Sequence, residues 1–232
     1  RAALAFTPLF ALLFLVYQWG DAPLAGALVL VAATALHGYV LWRQALTAHR
    51  RTLCHFIGFL LLGATWTQLS GQTGEHFAYG VWAQLAWLLV PFVLWLVLQA
   101  QRGHRFLCQY DAAYWRRGSA VCALYAAAWL LWVNISKPYM PRPLPYLPVL
   151  NPLEAATAVI VWQGFRWLRA WLFESWPATI RRQALIAPVL LAFIALSAGV
   201  MRVWHFWGDV EWNMAMLLAS FGLQASLSIV WA

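Results

Sequence analysis

The chain has 232 residues, of which 64% are hydrophobic and only 9% are charged. This composition is too apolar for a water-soluble globular protein of that size. The net charge of +8 does not indicate a nucleic-acid-binding protein, because the basic residues lie in short connectors between apolar runs. The composition indicates an integral membrane protein, whose immediate partner is the lipid bilayer.

The apolar runs predict an all-α, polytopic membrane bundle of about eight transmembrane helices. A helix needs about 20 apolar residues to cross the hydrocarbon core of a bilayer. Eight runs approach that length: residues 2–18, 23–42, 52–70, 77–100, 119–136, 153–173, 184–204 and 213–232. The seventeen tryptophans, many of them near the ends of these runs, are typical of a membrane–water interface.

The charged residues predict the orientation of the bundle. Of the fifteen Lys and Arg residues, all but Lys137, Arg142 and Arg202 fall on one side of the eight runs. Most of these lie in the connectors 43–51, 101–118 and 174–183. Since basic connectors are retained in the cytoplasm, both ends of the chain are predicted to be cytoplasmic.

The sequence predicts no metal site and no cofactor. It contains no Gly-rich phosphate loop, no G-x-S-x-G elbow and no H-E-x-x-H motif. Cys54, Cys108 and Cys122 match no zinc or redox spacing and are interpreted as reduced packing residues. His37 and His55 lie at similar depth on consecutive runs, so they would either hold a metal or form interhelical hydrogen bonds. Two ligands without a clear third favour hydrogen bonds.

Both ends of the sequence predict that residues 1–232 form one transmembrane segment of a longer polypeptide. The chain begins with Arg1 directly before an apolar run and stops within another apolar run. The remaining helices of that longer chain would then be packing partners of this segment.

The least ordinary stretch is residues 137–152, which contains six of the eleven prolines. This density excludes a helix and favours a stiff, polyproline-like loop, predicted to cross the outward, periplasmic face. Lys137 and Arg142 are its candidate ligand-binding residues. At its end, Asn151 at the N-cap and Glu154 at the third helical position form a capping-box pattern. Glu154 is therefore either a cap or a catalytic residue.

The second candidate region is the outer end of the seventh run. Arg202 and His205 are three residues apart and share a helical face, and Asp209 and Glu211 follow after a Gly turn. Such a group would bind a phosphate or a sugar, or would form a structural ion-pair network anchored by Trp side chains.

An active-site interpretation assigns a role to each of these residues. Arg202 and Arg142 would hold a phosphate, and His205 would be the acid–base group. Glu154 or Asp209 would orient the His205 ring.

Three ordered motifs in the last part of the chain carry a family resemblance. They are LPYLPVLNPLE (144–154), R-x-x-H-x-x-G-x-V-x-W (202–212) and LQASLSIVWA (223–232). Together they resemble a family of very long, multi-pass bacterial inner-membrane proteins described only as predicted membrane proteins with a domain of unknown function. Glu154 stands where the family has Asp, and Phe206 where it has a second His. The resemblance implies a bacterial inner-membrane protein with further helices and implies no activity.

Three functions are compatible with these features. The first is a membrane scaffold or assembly component in cell-envelope biogenesis, with envelope proteins as partners. The alternative is a membrane enzyme acting on a lipid-linked glycan or a phospholipid at the periplasmic leaflet. A transporter or flippase is disfavoured, because no charged residue lies in the middle of any predicted span.

Overall fold

The computed structural model describes most of the chain. The described ranges are residues 23–43, 48–101, 110–136, 138–141, 144–148, 150–175, 177–213 and 220–232. Within them the structure is helical and contains no strand, which confirms the predicted all-α class. It has seven helices in these ranges rather than about eight, and the first predicted span, residues 2–18, lies outside them.

The helices follow the predicted apolar runs in chain order. They are α1 (Pro23–Arg43), α2 (Ala48–Phe77), α3 (Val81–Ala100), α4 (π-helical Ala112–Gly118, then α-helical Ser119–Ile135), α5 (Pro152–Ser175), α6 (Ala178–Ala184 and, after Leu185, Ile186–Trp207) and α7 (Phe221–Trp231). The basic connectors predicted around residues 101–118 and 174–183 are thus partly helical.

Four stretches of the described ranges are long and apolar enough to cross a membrane, whereas the sequence predicts about eight. They are Arg51–Phe77, Val81–Ala100, Ala112–Ile135 and Thr179–Trp207. The described apolar part of α1 is short, Ala27–Tyr39. Helix α7 has only 11 residues, and α5 carries Glu154, Arg166 and Arg169.

Helix α2 shows the largest departure from the predicted boundaries. Residues 71–76, predicted as an outward connector, continue the helix. A Cβ atom at Gly71 would lie 2.1 Å from the Trp87 ring, and one at Gly74 would lie 2.2 Å from the Ala86 Cβ. These two glycines therefore allow close packing of α3 against α2, in a place where the sequence pattern resembles a turn.

Two prolines inside helices remove backbone donors, with different consequences. Pro91 in α3 has no N–H for the Trp87 carbonyl, and the Tyr125 hydroxyl of α4 donates to that carbonyl at 3.2 Å. Pro188 likewise offers no donor to the Ala184 carbonyl, and α6 is interrupted at Leu185. A side chain thus replaces the lost hydrogen bond in α3, whereas α6 breaks.

The chain divides into two compact units. Unit 1 comprises Arg1–Ala78 and Ala83–Tyr125, and unit 2 comprises Tyr79–Trp82 and Ala126–Ala232. In unit 1, α2 packs against α1 and against the π-helical part of α4. In unit 2, α6 packs against α5 and α7.

The proline-rich loop is non-helical in its described residues, as its composition predicts. The Val81 N–H donates to the Met140 carbonyl at 3.2 Å. Gly80 has φ +62, and a Cβ there would lie 2.1 Å from the Met140 oxygen, so only glycine fits this contact. The start of the loop is thereby fixed to the residues that precede α3.

Candidate functional site

A buried polar cluster lies in unit 2 where α4 ends, α5 begins and α6 ends. At its centre is Arg202, whose side chain is 0% exposed. The Arg202 Nε donates to Glu154 Oε1 at 3.4 Å, and its Nη1 donates to Asn134 Oδ1 at 3.0 Å. A buried guanidinium requires such partners, because an unpaired charge is costly in a medium of low polarity. One side chain of α6 thereby joins α4 and α5.

Tyr146 attaches the proline-rich loop to this cluster. Its hydroxyl donates to Glu154 Oε1 at 2.6 Å, and its ring stacks on Phe206 with 4.4 Å between centroids. The Trp207 indole N–H donates to the Tyr146 carbonyl at 3.4 Å. Burial raises the pKa of Tyr146, and the hydrogen bond to the Glu154 carboxylate raises it further. The phenol therefore stays protonated and remains a donor at neutral pH.

Asn151 confirms the predicted start of α5. Its Oδ1 accepts a hydrogen bond from the Leu153 N–H at 3.0 Å, as an N-cap does. Glu154, which the capping pattern placed in the first helical turn, has a wider role. Its carboxylate accepts hydrogen bonds from two side chains in two other parts of unit 2, Tyr146 of the loop and Arg202 of α6.

His205 lies in the last turn of α6, with its ring toward the connector that follows. Its Nδ1 is 2.6 Å from the Val210 carbonyl oxygen, and its ring contacts Phe206 and Trp212. Asp209 is exposed and has φ +51. Among the described contacts, the group that orients His205 is thus a backbone carbonyl rather than Glu154 or Asp209.

The structure brings together some of the predicted site residues and adds others. Arg202 and Glu154 form an ion pair, while Lys137 and Arg142 lie outside the described residues. Sequence reasoning did not assign Asn134 to the site. The sequence does contain one signal for Asn134, because it is a polar residue in the last turn of an apolar run.

Two donors of the cluster have no hydrogen-bond partner in the described part of the chain. They are the Nη2 of Arg202 and the Nδ2 of Asn151, and both side chains are at most 1% exposed. They could bind an acceptor atom of a water molecule or of a ligand.

The His37 and His55 pair lies in unit 1. His55 Nδ1 is 2.7 Å from the Tyr114 hydroxyl, which gives it the interhelical partner that the hydrogen-bonding interpretation predicts. The His37 ring occupies the space next to Gly58, where a Cβ would lie 1.8 Å from its Nε2. In the described ranges no group of three or more His, Cys, Asp or Glu residues is arranged to hold a metal.

These features define a class: a helical membrane protein in which polar side chains of different helices and loops form hydrogen bonds with one another. A family model described as "Predicted membrane protein (DUF2339)" matches residues 1–232. The chain therefore belongs to this family, which confirms the family resemblance of its three motifs. None of the curated proteins and none of the solved structures compared with the chain matches it.

Proposed function

We propose that the chain is a helical scaffold of the bacterial inner membrane that serves cell-envelope assembly. The observation that carries this proposal is the burial and hydrogen bonding of the Arg202 side chain. A phosphate-binding arginine needs an accessible guanidinium, whereas that of Arg202 is fully buried and bonded to Glu154 and Asn134. Two of the candidate catalytic residues, Arg202 and Glu154, are thus engaged in joining three helices.

The organisation of unit 2 supports the same function. The Glu154 carboxylate joins the proline-rich loop, through Tyr146, to α5 and α6. A loop held in this way presents a fixed surface to partner proteins, since little conformational entropy is left to lose on binding.

The alternative function is a membrane enzyme acting on a lipid-linked glycan or a phospholipid at the periplasmic leaflet. Two unpartnered, buried donors on Arg202 and Asn151 favour it, because they would bind a phosphate or sugar oxygen. In that case the Glu154–Arg202 pair would be part of a binding site.

Charge removal at the cluster separates the two functions. Arg202→Met alone leaves the Glu154 carboxylate without its cation, and we expect a loss of about 3 kcal/mol in unfolding free energy. Arg202→Met combined with Glu154→Gln removes both charges and keeps an acceptor for the Tyr146 hydroxyl. We expect this double variant to regain most of that stability, because an uncharged pair often replaces a buried ion pair at little cost. Stability is measured by thermal unfolding in detergent.

Rescue of cells that lack the protein is the functional measurement. The scaffold predicts that the double variant restores growth in the presence of detergent, a measure of envelope integrity. A double variant that unfolds like the wild type and fails to restore growth would contradict the scaffold and support the enzyme. Arg202→Lys is a further variant for the stability measurement: it keeps the charge but cannot donate to both Glu154 and Asn134, so we expect its stability to lie between those of the wild type and Arg202→Met.

A further inference from the structure

Unit 1 contains a cavity of about 880 Å³ between α1, α2, α3 and the beginning of α4. This volume is in the range of small-molecule binding sites, about 300–1,000 Å³. One face of α2 forms much of its wall: Arg51, His55, Phe59, Leu62 and Trp66 all line the cavity and follow at intervals of three or four residues. The cavity is therefore built by a regular helical surface.

The two ends of this wall differ in chemistry. Arg51 and His55 lie at one end, where His37, Tyr110 and Tyr114 also line the cavity. The Tyr114 hydroxyl is 2.7 Å from His55 Nδ1, and the Tyr110 ring stacks on the His55 ring with 4.0 Å between centroids. None of the described residues that line the cavity is acidic. This end thus combines a guanidinium with imidazole and phenol groups, which suits an anion.

The other end is apolar and extends into the membrane. Phe59, Leu62 and Trp66 continue along α2, with Val90 and Leu94 of α3 opposite. Arg51 is the first residue of the membrane-crossing stretch Arg51–Phe77. Trp66 lies fifteen residues further along, about 22 Å along the helix axis, against a hydrocarbon thickness of about 30 Å.

A second cavity, of about 360 Å³, continues this apolar region. It shares Phe59, Gly63 and Leu94 with the first cavity. The whole arrangement is a cationic, donor-rich end at the membrane boundary, followed by an apolar wall along α2.

We propose that this cavity binds one phosphate-bearing lipid. Its headgroup phosphate lies at Arg51 and the two histidines, and an acyl chain lies along Phe59, Leu62 and Trp66. The charge of the polar end and the length of the apolar wall match the two parts of such a molecule. A free phosphate ion would use only the first part, and an uncharged lipid only the second. The site lies in unit 1 and is independent of the Arg202 cluster.

Binding is measured by native mass spectrometry of the detergent-purified chain with three probes. These are phosphatidic acid, a diacylglycerol with the same acyl chains, and inorganic phosphate. We expect one bound phosphatidic acid, with the diacylglycerol and the phosphate ion each bound at least about tenfold more weakly. Equal affinity for the diacylglycerol, or for inorganic phosphate, would overturn the proposal. So would the absence of a one-to-one phosphatidic acid complex.

A cavity-filling variant tests the location. Gly38 lines the cavity, and a Cβ there meets no atom within 4 Å, so Gly38→Leu has room to add a side chain at the cavity wall. Gly199 is its matched control, since it has the same open surroundings and lines a separate cavity in unit 2. We expect Gly38→Leu to weaken phosphatidic acid binding at least about tenfold and Gly199→Leu to leave it unchanged. Both variants should melt at or above the wild-type melting temperature, because leucine favours a helix over glycine.

A charge variant tests the polar end. We expect Arg51→Gln to weaken phosphatidic acid binding about tenfold and to leave diacylglycerol binding unchanged. The control is the same substitution at another arginine, Arg116→Gln, because Arg116 is exposed, bonded to Asp111 at 3.1 Å and absent from the cavity wall. Equal binding by the wild type, Gly38→Leu and Arg51→Gln would show lipid adhering to the outer surface and would overturn the proposal.

Discussion

Glu154 joins three parts of unit 2: α5, the proline-rich loop and α6. It lies in the first turn of α5 and accepts hydrogen bonds from Tyr146 of the loop and from Arg202 of α6. Because its side chain is 15% exposed and Arg202 is 0% exposed, the carboxylate forms the outer side of the pair. The loop covers a charge that would otherwise need water, so loop attachment and charge burial depend on each other.

Replacing Tyr146 with Phe tests this dependence. The ring can still stack on Phe206, but the hydroxyl that donates to Glu154 is lost, and we expect a loss of about 1–2 kcal/mol. Tyr139→Phe is the control, since Tyr139 lies in the same loop as Tyr146 and its hydroxyl is 3.2 Å from the uncharged Ser136 hydroxyl at the end of α4. It should cost less than about 1 kcal/mol. Thermal unfolding in detergent measures both.

The stability difference between the wild type and Tyr146→Phe depends on pH in a defined way. Because the pKa of Tyr146 is raised in the folded protein, its contribution to stability is complete below the ordinary tyrosine pKa of about 10. It is lost as the pH rises above that value. The stability difference between the wild type and Tyr146→Phe should thus be constant from pH 7 to about pH 9 and shrink above about pH 10. A difference that grows with pH would contradict the hydrogen bond to the carboxylate.

The helices themselves were largely predictable, whereas their packing was not. Apolar runs define where α3, α5 and α6 lie, because a helix is the form in which a chain satisfies its own backbone in lipid. The continuation of α2 through Gly71 and Gly74 was not predictable. Glycine in a sequence signals a turn as readily as close helix packing, and only the position of α3 distinguishes the two.

Pro91 allows a direct test of how α4 packs against α3. Tyr125→Phe removes the hydroxyl that donates to the Trp87 carbonyl, and we expect a loss of about 1 kcal/mol. In a Pro91→Ala background the helix supplies its own N–H to that carbonyl, so Tyr125→Phe should cost clearly less. A double-mutant cycle by thermal unfolding in detergent measures the coupling. Equal costs in both backgrounds would show that the hydroxyl does not replace the missing backbone donor.

For the whole molecule, the sequence predicted the class and the family but only part of the site. Hydropathy and the three motifs require only residues that are close in sequence. The site depends on distant ones: Arg202 contacts Glu154 over 48 positions and Asn134 over 68. The candidate Arg202 was recognised because a charge at the end of an apolar run is conspicuous, whereas its burial depended on packing that no local pattern describes.

The orientation of the chain stays a prediction, and α5 is the element that tests it. Its composition does not meet the requirements of a membrane span, yet it runs beside α6, which does. The two helices are antiparallel, because Glu154 at the start of α5 contacts Arg202 near the end of α6. Arg166 and Arg169 lie over the rings of Trp162 and Phe165, as basic side chains near a membrane surface do. We therefore expect α5 to cross the bilayer with α6.

Single cysteines at the two ends of α5 measure this crossing and its direction. Leu150 is 75% exposed before the helix, and Thr179 is exposed after it. With the three native cysteines replaced by Ala, a membrane-impermeant maleimide should label Leu150→Cys in cells whose outer membrane alone is opened. Thr179→Cys should react only after the inner membrane is opened as well, since the positive charges of Arg181 and Arg182 predict a cytoplasmic position for that end. Labelling of both from outside would place α5 along the membrane surface, and the reverse pattern would invert the orientation of unit 2.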